Sequence, residues 1–422
     1  MATIQLKKQI LVYADWARLK ESPNLLGILS STQAKGKETF SFEYSAEWIK
    51  SGFSQMLDPD LQLYSGAFYP KDEKPNFGIF LDSCPDRWGK VLMQRRETVM
   101  AKIEKRPPRK LLESDFLLGV FDGHRMGALR FKTEDGGDFL NNQKEMATPP
   151  WTSLRELEHA SIKFEEDNTD DPEYIKWINL LIAPGSSLGG ARPKASVTDP
   201  DNALWIAKFA SKNDEKDIAA WEMVVNELAG AAGIKVAYGK VQKFNNQYHT
   251  YLTKRFDRTN AGERIHFASA MTLLGYIDGE GAAGASYLDM AGFLIKHGAN
   301  VAVDLEELWK RIVFNIGVKN TDDHLRNHGF LLTETGWILS PAYDINPNEY
   351  GAGLSLNISE EDNSLDFDLA LSVAPYFRLN NTKAIQIIEQ VTKSLEGWKD
   401  VATKYKLSRA EQERMESAFV LK

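Results

Sequence analysis

The strongest restriction on this chain is one ordered series in its C-terminal half. Asn320-Thr321-Asp322-Asp323-His324-Leu325-Arg326-Asn327 is followed by a short apolar hairpin and then by Ala342-Tyr343-Asp344. The hairpin is predicted over Gly329 to Leu332 and Trp337 to Leu339, with a turn at Thr333 to Gly336. A helix from Leu305 to about Ile316, opened by a capping-box-like Asp304…Glu307 pair, leads into the series. His324 and His328, four apart and flanked by carboxylates, superficially suit zinc. A hairpin that begins at Gly329 denies them a continuous helix, and neither a cysteine nor a third histidine is close by. His324 therefore reads as a structural hydrogen-bonding residue of the loop. Ser–His–Asp hydrolysis is disfavoured, because there is no G-x-S-x-G elbow.

Upstream, Ser186-Ser187-Leu188-Gly189-Gly190-Ala191-Arg192-Pro193-Lys194 precedes a predicted strand from Ala203 to Phe209. Adjacent glycines let backbone N–H groups converge on phosphate oxygens, and Arg192 and Lys194 add positive charge. A plain surface turn has the same composition. Strand alternation puts Lys208 on the face of Leu204 and Ile206, an ammonium beside an apolar surface. That suits the base and phosphates of a nucleotide, and it equally suits an ordinary strand end. A helix from about Asp217 to Ala232 follows, with Ile218, Trp221, Val225 and Leu228 on one face and Gly233 as its stop. Glu222, beside that stripe, is placed either to hold Lys208 by an ion pair or to face solvent. A hairpin is predicted over Val236 to Phe244 and Gln247 to Lys254, about Asn245-Asn246. After Arg258 the sequence turns mostly helical, down to a last helix opened by Ser408…Glu411. Strands first and helices afterwards predict an α+β chain of two lobes with a cleft for a ligand between them.

At 422 residues the chain is long for one core, and 43% hydrophobic with 26% charged residues supplies ordinary globular material. A net charge of −8 argues against a free-standing nucleic-acid binder, though not against an acidic protein docked on a basic partner. The single cysteine, Cys84, forms no internal disulfide and reads as a small buried hydrophobe. The N-terminus lacks a signal-peptide pattern, and no apolar run approaches bilayer length, so the chain is read as cytoplasmic, with no membrane contact. The segment up to Lys132 mixes strand-like runs (Ile10 to Tyr13, Gly78 to Leu81) with helices such as Arg87 to Lys102. Thr133 to Pro150, with Gly136-Gly137 and Pro149-Pro150, reads as a linker or surface excursion, and Glu165 to Asp171 as a solvated loop.

Phosphoryl transfer needs a carboxylate to orient the attacking hydroxyl and oxygen ligands for magnesium bridging the phosphates. The D-x-x-x-x-N spacing of Asp322 and Asn327, a hairpin and a second Asp reproduce the protein-kinase order of catalytic loop and metal-binding aspartate. Asp323 lies beside Asp322, so the base is chosen by its spacing to Asn327.

At this point the chain resembles the HipA family, the kinase toxins of bacterial toxin–antitoxin pairs. The likeness rests on Ser187-Leu188-Gly189-Gly190-Ala191-Arg192-Pro193-Lys194, Trp205-Ile206-Ala207-Lys208-Phe209, Lys254-Arg255-Phe256-Asp257-Arg258, Asn320 through Asn327, and Leu339-Ser340-Pro341-Ala342-Tyr343-Asp344. Pro85-Asp86-Arg87-Trp88-Gly89 resembles a motif of the family's N-terminal subdomain. The resemblance implies a two-lobed protein-kinase-like fold. Its expected parts are an N-terminal subdomain over 1–132, a linker over 133–172, the nucleotide-binding part of the N-lobe over 173–256 and a helical C-lobe over 257–422.

It further implies ATP and Mg2+ as cofactors, Asp322 as catalytic base, and Asn327 and Asp344 as magnesium ligands. Gly189, Gly190, Ala191, Lys194 and Lys208 would meet the ATP phosphates, with Glu222 the partner of Lys208. Lys254 and Phe256 would form the hinge at the adenine, and Asp257 would reach the ribose. Ser187 falls where the family carries its autophosphorylated serine, with Ser186 a competing acceptor. Added phosphate there cannot share the space of ATP's own phosphates. Expected partners are a protein substrate, such as an aminoacyl-tRNA synthetase or other translation component, and a small DNA-binding antitoxin. No direct binding of nucleic acid by the chain alone is expected. A small-molecule kinase and a mainly non-catalytic corepressor are the alternatives on the same residues.

Overall fold

A computed structural model describes residues 6–421 except 18, 20–21, 35, 72, 144–146, 167–172, 183–191 and 280–283. The chain divides into two units, Met1–Lys212 with Asp257–Ala268, and Asn213–Phe256 with Ser269–Lys422.

In the first unit, Ile10, Val12 and Ala14 are fully buried while Leu11 and Tyr13 between them are half-buried. This is the period of a strand with one face on a core. The strands β1 (Leu6–Ala14), β2 (Asn24–Ala34), β3 (Lys37–Tyr44), β4 (Ala67–Phe68) and β5 (Leu129–Lys132) form an antiparallel sheet in the order β4-β3-β2-β1-β5. The short helices α1 (Ala46–Lys50) and α2 (Gly78–Leu81) precede α3 (Arg87–Ile103) and α4 (Glu113–Gly119). Phe42, Phe77, Phe80 and Phe131 pack edge-on or tilted against one another at the centre. Arg125 is also wholly buried there. It donates to the carbonyls of Ser83, Leu117, Val120 and Leu140 and lies 4.6 Å from the centre of the Phe131 ring. Burial pulls its guanidinium down to about 10, so it remains a cation at neutral pH.

Gly78 to Leu81, strand-like in sequence, is the helical turn α2. A four-residue apolar run has no period to separate the two, and the Asp58 carboxylate, accepting from the Ile79 N–H at 3.1 Å, favours the turn. Next come α5 (Leu154–Glu166), α6 (Tyr174–Ile182) and the antiparallel pair β6 (Lys194–Thr198) and β7 (Leu204–Lys208). Between these pieces, Leu140 bridges to Phe131 and Pro150 to Thr198. Of the acidic run, Glu165 accepts from Ser211 and Lys212, and residues 167–171 lie outside the described residues.

Segment 257–268 closes this unit. Arg264 donates to the Asp122 carbonyl at 2.6 Å and accepts from the Ala17 N–H at 2.8 Å, while His266 stacks on Trp16. Cys84 is buried, and burial pushes its thiol up to about 12, as a small apolar residue requires.

The second unit opens with α7 (Ile218–Ala231), capped by the Asp217 carboxylate on the Ala220 N–H. The following hairpin is shorter than predicted, β8 (Gly239–Gln242) with β9 (Thr250–Lys254). After β10 (Phe267–Ser269), where the chain returns to this unit, come α8 (Ala270–Leu274), α9 (Tyr287–His297) and α10 (Val301–Gly317). Helix α10 begins earlier than the capping pair suggested. Asn300 stands at its N-cap, and Asp304 lies in its first turn, donating its N–H to the Asn300 carbonyl.

The strands β11 (Gly329–Thr333) and β12 (Gly336–Leu339) form the predicted hairpin, with Phe330 opposite Leu339. Four more helices, α11 (Phe367–Val373), α12 (Asn381–Glu396), α13 (Trp398–Lys404) and α14 (Arg409–Met415), complete the unit. Ser408 caps α14 as its sequence indicated. The Glu411 carboxylate turns instead to Asp217 N–H and Trp221 Nε1, tying the last helix to the first. The chain is thus sheet-rich early and mainly helical late, the α+β arrangement expected. Among the described residues, no helix is long and apolar enough to cross a membrane.

Candidate active site

Helix α10 ends at Gly317, and Lys319, in the left-handed region at φ 47°, turns the chain so that Asn320 N–H returns to the Asn315 carbonyl at 2.9 Å. This turn starts the loop that carries the two adjacent aspartates, and it separates them completely. Asp323 is buried, and its Oδ2 accepts from Tyr287 Oη, Asn315 Nδ2 (2.7 Å) and His328 Nε2 (2.8 Å). Asp322 is exposed. Its pKa is raised, first because the surrounding protein displaces part of its hydration and then by the like charges of Asp344 and Asp323; His324 opposes the rise.

A single-turn 3-10 helix, Leu325–Asn327, follows. Asn327 is buried, and its Nδ2 donates to the Asp322 carbonyl at 3.0 Å. That bond fixes which end of the amide is which and leaves Oδ1 buried with no hydrogen-bond partner. Beyond the hairpin, Tyr343 Oη donates to the Arg326 carbonyl at 2.8 Å, so the segment before Asp344 is tied back to the Leu325–Asn327 turn. Asp344 adopts φ 59°, a left-handed conformation that aspartate tolerates better than most residues. Asn346 Nδ2 approaches the Asp344 carboxylate at 3.4 Å, and Asn346 N–H donates to Asn320 Oδ1 at 3.2 Å. Asn320 in turn donates to Asn315, the partner of Asp323. One chain of polar side chains therefore connects the two segments that bear Asp322, Asn327 and Asp344.

The HipA-like C-terminal domain family matches residues 186–398, just over half of the chain, and that span contains this loop, the hairpin and Asp344. The chain belongs to the HipA-like family. A search of curated proteins finds no match. The HipA-like chain is similar in structure to a chain of the Shewanella oneidensis MR-1 toxin–antitoxin complex of HipA, HipB and operator DNA. The TM-score is 0.63 at 20% identity, over 97% of this chain and 94% of that one, which shows a common fold. It also matches the Helicobacter pylori proinflammatory kinase CtkA at 13% identity, over 53% of this chain and 92% of that one, with a TM-score of 0.37.

The remaining predicted positions of the HipA-like chain fall in both units. In the second, Glu222 is buried on α7. After burial itself, the charges of Glu222 and then Asp344 raise the pKa of the buried Tyr251 phenol. Lys254 is half-buried at the end of β9, its N–H on the Tyr238 carbonyl. The Phe256 ring lies 5.6 Å from that of Tyr343, next to Asp344. In the first unit, Lys208 is half-buried at the end of β7. Lys194 is buried, with Nζ 2.9 Å from Asp86, the N-cap of α3, while Trp88 Nε1 donates to the Lys194 carbonyl. Asp257 is fully buried, accepting from Gly127 N–H and Arg258 Nη1. Ser186, Ser187, Gly189, Gly190 and Ala191 lie outside the described residues.

Asn327 Oδ1 and the Asp344 carboxylate are hard oxygen donors of the kind magnesium takes, and the unpartnered state of the buried Oδ1 fits that use. Among the described residues, no three His, Cys, Asp or Glu side chains converge as a metal cluster, and His328 is committed to Asp323. Sequence reasoning missed Tyr287, Asn315, Asn320 and Asn346. Asn315 left one trace, a lone amide inside the apolar run Ile312-Val313-Phe314-Asn315-Ile316.

Proposed function

We propose that this chain is a protein kinase that transfers the γ-phosphate of ATP to a serine or threonine hydroxyl. The observation that carries the reading is the division of labour between neighbours. Asp323 is locked into a buried network, while Asp322, at the same spacing from Asn327 as a kinase base, faces solvent with a raised pKa.

In this reading Asp322 orients the acceptor hydroxyl and takes its proton as the oxygen–phosphorus bond forms and the bond to the β-phosphate oxygen breaks, releasing ADP. Its raised pKa makes it a better proton acceptor than an ordinary aspartate. Asn327 and Asp344 hold magnesium, which when bound neutralises phosphate charge. Lys208 meets the phosphates, and Lys254 and Phe256 border the adenine. Gly189, Gly190 and Ala191 cradle the phosphates. Lys194 and Asp257, each spent in a buried ion pair, serve as anchors of the first unit rather than as nucleotide contacts.

Self-phosphorylation at Ser187 limits the activity, through charge placed where the phosphates of ATP must lie. The shared fold with a chain of the HipA–HipB–operator complex supports a DNA-binding antitoxin as partner and a toxin as the biological role; the substrate in this reading is a translation component.

The test is labelled ATP with magnesium and purified wild type against Asp322→Ala. Label on the wild type alone, mapped to Ser187, is the expected result. Equal labelling of a folded Asp322→Ala protein removes Asp322 from the reaction and the reading with it.

A further inference from the structure

Beneath the catalytic loop the second unit contains a small cavity, lined among others by Arg311, Asn327 and His328, with Phe314, Ala342 and Ile345 as apolar walls. All three polar residues are nine-tenths or more buried, and each has one atom without a hydrogen-bond partner: Arg311 Nη1, Asn327 Oδ1 and His328 Nδ1. Their other polar atoms are committed. Arg311 Nε and Nη2 donate to Glu307, and Nη2 also to the Ser340 carbonyl. Asn327 Nδ2 donates to Asp322, and His328 Nε2 faces Asp323. The space open to a water molecule is about 10 Å³, room for one.

The geometry points to a structural water molecule bound in this cavity, which holds the metal-facing amide of Asn327 in place. The hydrogen bookkeeping closes on one molecule. Arg311 Nη1 can only donate, so it supplies one hydrogen bond to the water oxygen. Asn327 Oδ1 can only accept. His328 Nε2 faces the Asp323 carboxylate at 2.8 Å and carries the ring proton there, which leaves Nδ1 to accept as well. A water molecule has two hydrogens for those two acceptors and a lone pair for the arginine, and three such bonds are the usual complement of a buried water. A carbonyl oxygen has two lone pairs, so Asn327 Oδ1 keeps one for a cation. Arg311 and His328 thereby become positioning residues for the proposed metal ligand, an outer layer of the kind that sets metal affinity. This role rests on the reading of Asn327 as a magnesium ligand; the water site itself does not.

Two histidine substitutions separate the role from general stability. His328→Gln sets an amide nitrogen near the position of Nε2, keeping the bond to Asp323, and removes the acceptor at Nδ1. His328→Asn does the reverse. Binding is read by electron paramagnetic resonance of Mn2+, standing in for Mg2+, with a non-hydrolysable ATP analogue, alongside thermal melting and a crystal structure of the wild type. Expected are one density peak within hydrogen-bond reach of all three atoms and Mn2+ affinity roughly tenfold weaker in His328→Gln. His328→Asn should melt earlier and bind Mn2+ like the wild type. A cavity without a density peak within reach of the three atoms overturns the water site. Unchanged Mn2+ affinity in His328→Gln, or weakening in His328→Asn alone, overturns the positioning role. Asn327→Ala is the control: unchanged Mn2+ affinity in that variant defeats the metal-ligand reading, while the density still decides the water.

Discussion

Asp323 gives its carboxylate to Tyr287, Asn315 and His328, which leaves Asp322, one residue earlier, as the aspartate that meets solvent. Spacing to Asn327 selected the same residue from the sequence. The reason for the selection could not be read there, because the partners of Asp323 lie five, eight and thirty-six residues away and two of them are neutral side chains in helices. A pH dependence follows from Asp322. In the proposed reaction Asp322 accepts a proton only when ionised, and its pKa is raised, so transfer is expected to be lost as pH falls through that raised value, sooner than an ordinary aspartate would dictate. His324 counters the rise. Replacing it in His324→Gln is expected to move the acid limb of the kcat/KM profile for labelled transfer to higher pH. A limb that stays put or moves to lower pH would show that another group titrates.

Elements were legible where a long period or a cap declared them. Helices α3, α7 and α14 stand within a residue or two of their expected places because Asp86, Asp217 and Ser408 cap them. Short apolar runs were not legible: Gly78 to Leu81 became a helical turn through a carboxylate twenty-one residues upstream. Nor did the sequence disclose why Pro85-Asp86-Arg87-Trp88-Gly89 matters to a distant strand. Asp86 caps α3 and pairs with buried Lys194, and Trp88 donates to the Lys194 carbonyl. Burial raises the Asp86 pKa in spite of that lysine, and removing one partner strands the other as an uncompensated buried charge. Asp86→Ala is expected to cost about 3–5 kcal/mol, seen as a lower urea midpoint, and Asp86→Leu with Lys194→Met to restore most of it. A double variant as unstable as the single one would mean that the cap, not the stranded charge, carries the loss.

For the whole molecule, the order of strands and then helices gave the fold class, and the family match agrees with it. The route of the chain was hidden, because 257–268 belongs with residues that end at Lys212, forty-five positions before Asp257. That segment supplies Asp257 to Gly127, Arg264 to Asp122 and Ala17, and His266 to Trp16. A fragment of residues 1–212 is therefore expected to lack a cooperative thermal transition and the near-ultraviolet circular dichroism of the first unit. A fragment that melts as sharply as the intact protein would show the segment to be dispensable.

The same return of the chain bears on how the protein is made. At roughly 5–20 residues per second a ribosome needs several seconds to pass from Lys212 to Ala268. Throughout that interval Trp16, Asp122 and Gly127 have left the exit tunnel without the groups that will cover them. Newborn chains are thus expected to be open to proteases and to premature association in the window before Ala268 has left the tunnel, and any partner that engages the N-terminal sheet during synthesis meets it unfinished.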